Sequence, residues 1–354
     1  MYYSSKPALK AHVLLVVLSL VPTLLPNLIP VNFLIVLTAS LAVYSGSWRS
    51  VKPVPPTESM TKKDAMRFPL IGSAVLFSLF LAFKFLPKAW VNALLTAYIG
   101  GIAALVLAGA LAPYFTDFFP ESVRHKSITF PAFKIPHVME STEPTTITLP
   151  QIVFGIISAA FCVWYYVNKS PFANNTLGLA FSLEGIEHLS LGSTPVGIIL
   201  LCGLFVYDIF WVFCTPVMVS VATNFDAPIK LLFPRAVDEL GKRPYAMLGL
   251  GDIVIPGIFV ALMLRMDVST GFRSNYFQSA FGGYVLGLGS TIIIMNVFNA
   301  AQPALLYIVP AVLGCVFLHA AVRGEVKKVL TFDETPVKDA GEEKKDSGDG
   351  KKDS

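Results

Sequence analysis

Nine apolar runs, each near the length of a bilayer-crossing helix, dominate the chain: residues 28–46, 68–86, 91–112, 150–167, 172–190, 195–218, 246–265, 279–298 and 303–321. A helix needs about 20 apolar residues to cross the hydrocarbon core of a membrane. Composition points the same way, with 54% hydrophobic and only 14% charged residues. A soluble domain carries roughly 25% charged residues. A single water-soluble domain and a disordered chain are therefore excluded. A net charge of +4, spread among apolar runs, is not a nucleic-acid-binding face. Cys162, Cys202, Cys214 and Cys315 all lie inside apolar runs with no metal-ligand spacing, so neither a disulfide framework nor a metal or other cofactor is expected. The chain reads as an all-α polytopic membrane protein.

The segments outside these runs differ in character. Residues 1–27 form an N-terminal apolar segment in which 9–25 is punctuated by Pro22, Pro26 and Pro30. It reads as membrane-embedded or interfacial; a tenth span, an uncleaved signal-like segment and half of a kinked hairpin are the forms it can take. Residues 28–324 hold the nine spans. Residues 325–354 carry 16 charged residues of 30, which predicts a disordered tail. No polar stretch is long enough for a soluble catalytic domain, so any chemistry belongs among the spans. Nine crossings put the termini on opposite sides. With the C-terminus cytosolic and the N-terminus lumenal, 18 of the 27 basic residues face the cytosol, in line with the positive-inside rule. The final Lys351-Lys352-Asp353-Ser354 resembles the retrieval signal of endoplasmic-reticulum membrane proteins. The sequons at Asn168 and Asn174 lie against the membrane and are expected to be poorly glycosylated.

Four acids fall inside spans: Glu184, Glu187, Asp208 and Asp252. A carboxylate at the bilayer centre costs roughly 2.5–3.5 kcal/mol on insertion scales, so each is a functional hypothesis by default. Asp208 is flanked by apolar residues for more than two turns on either side, with no lysine or arginine in the run. Asp252 follows Gly249 and Gly251 and precedes Pro256 and Gly257, a weak and easily distorted helix. Glu184 and Glu187 lie with His188 near the end of the fifth run, and are expected to reach an interface or a wet cavity. Pro303 suits a first helical turn, where its missing N–H costs nothing.

Tyr207-Asp208 on one span, Gly249-Leu250-Gly251-Asp252 on the next and Pro303-Ala304-Leu305 on the last resemble the three signatures of the presenilin-type GxGD intramembrane aspartyl proteases. Residues 205–213, 246–259 and 302–310, with Asn174-Asn175 and residues 225–231, resemble the signal peptide peptidase branch in a plant-like version. The likeness covers roughly residues 28–330. It implies a presenilin-like fold and an intramembrane endopeptidase with Asp208 and Asp252 as its catalytic pair. Tyr207, Gly249, Gly251, Pro303, Ala304 and Leu305 would then make room for, and hold, an unwound substrate. Its implied substrates are remnant signal peptides and type II or tail-anchored membrane proteins of the endoplasmic reticulum, met within the lipid bilayer. A homo-oligomer is compatible with this reading. From the residues alone two other functions stay open: a proton-coupled transporter, since intramembrane acids and broken helices also mark ion pathways, and a non-catalytic scaffold that binds membrane proteins.

Overall fold

The computed structural model describes residues 29–52, 59–116, 119–124, 126–130, 134–135, 139–140, 145–224, 227–235, 244–298 and 302–334, preceded by 11, 13–15, 17 and 18. Most of the 9–25 segment, Phe225 and Asp226, and the tail from 335 with Lys351 and Lys352 lie outside the described residues.

Each of the nine apolar runs overlaps one long helix: α1 Val31–Arg49, α2 Lys62–Phe85, α3 Lys88–Phe115, α4 Leu149–Asn168, α5 Pro171–His188, α6 Thr194–Phe213, α7 Gly251–Ser269, α8 Tyr276–Phe298 and α9 Leu305–Val322. Seven are long and apolar enough to cross a membrane by length and composition; α5 and α7 are not among them. These two carry the charges, Glu184 and Glu187 on α5 and Asp252, Arg265 and Asp267 on α7. The chain is a multi-pass membrane protein. Its outer helices turn apolar side chains outward: Trp90, Leu94, Tyr98 and Leu105 of α3 are 67–77% exposed, and only 6% of the apolar window of α2 is buried. In water such a surface would drive aggregation; in hydrocarbon it is the natural exterior.

At the centre stands α7, whose residues from Ile258 to Leu264 are at most 2% exposed. A helix apolar all round belongs inside a bundle. It packs on α1, α5, α6, α8 and α9. Small residues permit the closest approaches. Ile186 of α5 fills the space between Gly46 of α1 and Gly257 of α7, where an added Cβ would stand 2.9 and 2.6 Å from its carbons. Gly283 and Gly287 bring α8 against the backbone of Val312 and Ile308 on α9, with an added Cβ only 2.8 and 2.6 Å from their Cα atoms, the small-xxx-small packing expected in membranes.

Helix starts follow local chemistry. α2 begins six residues before its apolar run because Thr61 and Asp64 close a capping box, Thr61 Oγ1 accepting from the Asp64 N–H at 3.3 Å while Asp64 Oδ2 accepts from the Thr61 N–H at 3.1 Å. Three antiparallel hairpins supplement the helices: β1 Ser127–Phe130 with β4 Thr145–Thr148, β2 Lys134–Ile135 with β3 Met139–Glu140, and β5 Lys230–Pro234 with β6 Tyr245–Gly249.

The tail does not begin at 325 as its charge suggested. Val326–Leu330 forms a short helix with Val329 fully buried, Asp333 bridges to Ser193, and Glu334 makes a bidentate ion pair with Arg265 at 2.8–3.0 Å. Partners at distant positions hold this stretch, and composition does not reveal them. Glu325, just beyond the last span, has its carboxyl held below the usual carboxylate range by a hydrogen bond from the Tyr276 hydroxyl, with Lys328 and Arg323 adding to the effect.

Candidate active site

Asp208 lies on α6 about one and a half turns before its end, 4% exposed. Asp252 occupies the first turn of α7 and is half-buried. The apolar run that begins at residue 246 predicts Asp252 some six or seven residues inside its span. The structure corrects this, because Tyr245–Gly249 is a strand and the helix starts only at Gly251. Side chains along β6 alternate exposed and buried, the period of a strand, and Gly249 and Gly251 weaken any helical continuation. The shift brings the two acids to one end of the bundle. Their helices pack on each other, and the charge of Asp208 bears directly on Asp252.

The three sequence signatures meet here. The Leu305 N–H, at the start of α9, donates to Asp208 Oδ2 at 3.0 Å. Pro303 is buried and precedes the helix rather than opening it: Ala304 is the N-cap and Leu305 the first helical residue. Gly249 adjoins the site, since a Cβ on it would stand 3.4 Å from Asp252 Oδ2. Gly251 faces open space, with nothing closer than Ile255 Cδ1 at 3.9 Å. The Tyr207 ring packs on Trp211 and on Gly72 of α2, so it seats α6 against α2.

The other buried charges of the bundle have partners among the described residues. Glu187 and Glu184 do not reach a wet cavity: Arg49, at the end of α1, donates to Glu187 Oε2 and Glu184 Oε1, both at 2.6 Å, and Glu187 is 7% exposed. Lys52 adds a contact to Glu187 at 3.2 Å. Among the described residues the one group with metal-ligand geometry is Glu184, Glu187 and His188, with ligand atoms within 4.8 Å of one another; Arg49 and Lys52 already balance its charge. Asp267 accepts the backbone N–H groups of Tyr276 and Phe277 at 3.0 and 2.8 Å, capping α8. Arg265 pairs with Glu334. Asp208 has only the Leu305 amide, and Asp252 has no hydrogen-bond partner among the described residues.

Sequence reasoning missed how Asn174 and Asn175 act. Both are buried on α5 and bond the backbone of β5: Asn174 Nδ2 donates to Lys230 O at 2.7 Å, Asn175 Nδ2 donates to Leu232 O at 2.8 Å, and Asn175 Oδ1 accepts the Leu232 N–H at 2.7 Å. The only signal was two adjacent amides in an apolar run.

A helical membrane bundle whose buried charges, among the described residues, have partners, save two carboxyls left without an ion pair, defines a class, the polytopic membrane proteins with an acidic intramembrane site. Comparison with known proteins narrows it. The profile of the signal peptide peptidase family matches residues 52–336. Signal peptide peptidase of Mus musculus is 42% identical over 320 residues, covering 87% of this chain and 84% of the relative. That of Homo sapiens is 42% identical over 316 residues, covering 86% and 84%. Plant proteins are also similar: signal peptide peptidase-like 3 of Oryza sativa subsp. japonica is 30% identical over 282 residues, covering 75% of this chain and 51% of the relative. The chain belongs to the signal peptide peptidase family and is an intramembrane aspartyl protease.

Proposed function

We propose that Asp208 and Asp252 are the catalytic pair. The observation that carries this is their isolation: they are two neighbouring acids in a bundle that otherwise balances its buried charges. Like charges this close do not both ionise, so the pair shares one proton. The ionised carboxyl takes a proton from water as that water attacks the scissile carbonyl carbon. The protonated one donates its hydrogen bond to the carbonyl oxygen. The amine then leaves with a proton, the C–N bond breaks, and the products are one carboxyl and one amino terminus. The two roles belong to the pair as a unit. In this reading the Leu305 amide fixes the Asp208 carboxyl, and Pro303 and Ala304 set the turn that aims that amide.

A helical substrate hides its amides and must unwind to be cut. β6 supports an extended substrate beside the site. The bonds from the Arg235 N–H to Pro244 O and from the Leu250 N–H to Ile229 O flank the β5–β6 ladder. With the register pairing Lys230 to Gly249, alternation turns the N–H and C=O groups of Tyr245, Met247 and Gly249 away from β5. Among the described residues that edge of β6 has no partner strand, and it ends three residues before Asp252. An unwound peptide adds there as a third strand, passing Gly249 on its way to the carboxyls. The substrates fitting this device are single transmembrane segments: remnant signal peptides and type II or tail-anchored proteins of the endoplasmic reticulum. The C-terminal side of the bundle faces the cytosol, an orientation supported by the basic residues gathered on that side.

The test is hydrolysis of a signal-peptide-like transmembrane peptide by the purified protein in detergent. Asp208→Asn and Asp252→Asn each abolish it while leaving a folded protein, because one carboxyl does not serve as both acid and base. A hydroxyl-bearing transition-state isostere inhibits the unaltered protein. A folded Asn variant with near-normal hydrolysis overturns the assignment.

A further inference from the structure

The hairpin that leads into Asp252 has two outer edges, and they are treated differently. On β5 the outward-facing positions are Lys230, Leu232 and Pro234, by the same alternation that turns Tyr245, Met247 and Gly249 outward on β6. Pro234 has no N–H to offer. Leu232 gives its N–H to Asn175 Oδ1 and takes a bond from Asn175 Nδ2. That reciprocal pair is what a residue of a neighbouring antiparallel strand would supply, so one carboxamide stands in for one strand residue. Lys230 O is taken by Asn174 Nδ2. The two amides are themselves locked: Asn174 Oδ1 accepts from the Tyr165 hydroxyl of α4 at 3.1 Å, and Asn174 Nδ2 also reaches Asn175 Oδ1 at 3.3 Å. One turn on, Gly178 lets α5 press on the hairpin, since a Cβ there would stand 2.8 Å from Leu231 Cδ2 and 3.3 Å from Leu250 Cδ2.

We propose that Asn174 and Asn175 are positioning residues that close the β5 edge and fix the depth of the hairpin, so that β6 alone receives substrate and a defined peptide bond arrives at the carboxyls. This rests on the reading of β6 as the substrate edge and of Asp208 and Asp252 as the catalytic pair. It makes the clamp a determinant of cleavage position. A strand keeps the same side chains on the same face only when it slips by two residues, so loosening the clamp moves cleavage by two residues along the substrate rather than one.

The experiment digests a synthetic signal-peptide-like transmembrane peptide in detergent and identifies both fragments by mass spectrometry. Asn175→Leu keeps the shape and removes all three clamp bonds of that side chain; Asn175→Asp keeps the acceptor for the Leu232 N–H and loses the donor. Expected for Asn175→Leu is a kcat lower by about tenfold to a hundredfold, a KM near its original value, and new products displaced by two residues; Asn175→Asp lies between. Unchanged products and rate in both variants overturn the clamp. A lower rate with the cleavage position unaltered also overturns it, as that is what mere destabilisation gives. Amide exchange on the otherwise unaltered chain gives a second reading should either variant not fold. The Leu232 amide exchanges slowly, while the Met247 amide exchanges fast and is slowed when the peptide binds the Asp208→Asn protein. Equal exchange at both positions, or no change at Met247, overturns the proposal. If the Asp208→Asn and Asp252→Asn proteins still cleave, the catalytic reading fails; if they are inactive and the Asn175 variants behave normally, the clamp alone fails.

Discussion

Arg49 shows what a buried charge in this bundle requires. Its side chain is 2% exposed, as is that of Glu187, and it holds two carboxylates at 2.6 Å and the Ala110 carbonyl at 3.3 Å. Desolvation of such a group is offset only when every partner is present. Breaking a buried pair by removing one member costs about 3–5 kcal/mol, because a charge is left without compensation. Arg49→Met leaves Glu184 and Glu187 side by side with only the Lys52 contact to Glu187 and is expected to cost about that much, read as a lowered unfolding midpoint in detergent. Glu187→Gln should cost less, since Arg49 keeps Glu184. The carboxyls of Asp208 and Asp252 lie at the other end of the bundle, so folded Arg49→Met protein should keep its kcat. An unchanged midpoint would show that the network contributes nothing to stability. The same rule isolates the site: among the described intramembrane acids, Asp208 keeps a single backbone amide and Asp252 has no hydrogen-bond partner.

Between elements, the α8–α9 contact connects packing to chemistry. A Cβ at Gly287 would stand 2.6 Å from Ile308 Cα, backbone that has nowhere to go, whereas a Cβ at Gly289 meets nothing within 4 Å. Gly287→Ala therefore forces α9 outward and with it the Leu305 amide that holds Asp208. Both the unfolding midpoint and kcat should fall. Gly289→Ala, on the same helix, should leave kcat alone and gain slightly from helix propensity, about 0.5–1 kcal/mol. Equal behaviour of the two variants would dissociate helix packing from the site. At this scale the sequence was most legible, since apolar runs marked all nine long helices and three short motifs marked the acids and the α9 start. What it hid were partners set far apart in the chain. Arg49 reads as a loop residue until Glu187 is seen 138 positions away. Tyr-Ala-Met-Leu reads as the continuation of an apolar helix until β5 is seen to pair with it. Asn174 and Asn175 give no hint, in sequence, of the strand they bond.

The whole bundle is polar along its axis. Following the helices from α1, the ends that gather Arg49, Glu184, Glu187, Arg265 and Glu334 fall on one side, and the ends carrying Asp208, Asp252 and Leu305 fall on the other. One end is a charged clasp and the other holds the two carboxyls proposed to react, so the proposed hydrolysis needs water to reach the side opposite the short helix after α9. Everything in this division depends on α7 crossing the membrane, although its three charges leave it outside the set of helices that qualify by composition. Three long helices, α7, α8 and α9, separate Cys214 from Lys328. Cys214 is exposed just past the end of α6, and Lys328 is exposed in the short helix after α9. If all three cross, a cysteine at each position lies on opposite sides of a sealed vesicle. In microsomes a membrane-impermeant maleimide added outside should label Lys328→Cys in a background lacking the other cysteines. It should label Cys214, as the sole cysteine, only after the membrane is opened. Labelling of both from outside would mean that α7 does not cross, and the carboxyls would then lack a common depth. Labelling of Cys214 alone from outside would keep the architecture and reverse its orientation in the membrane.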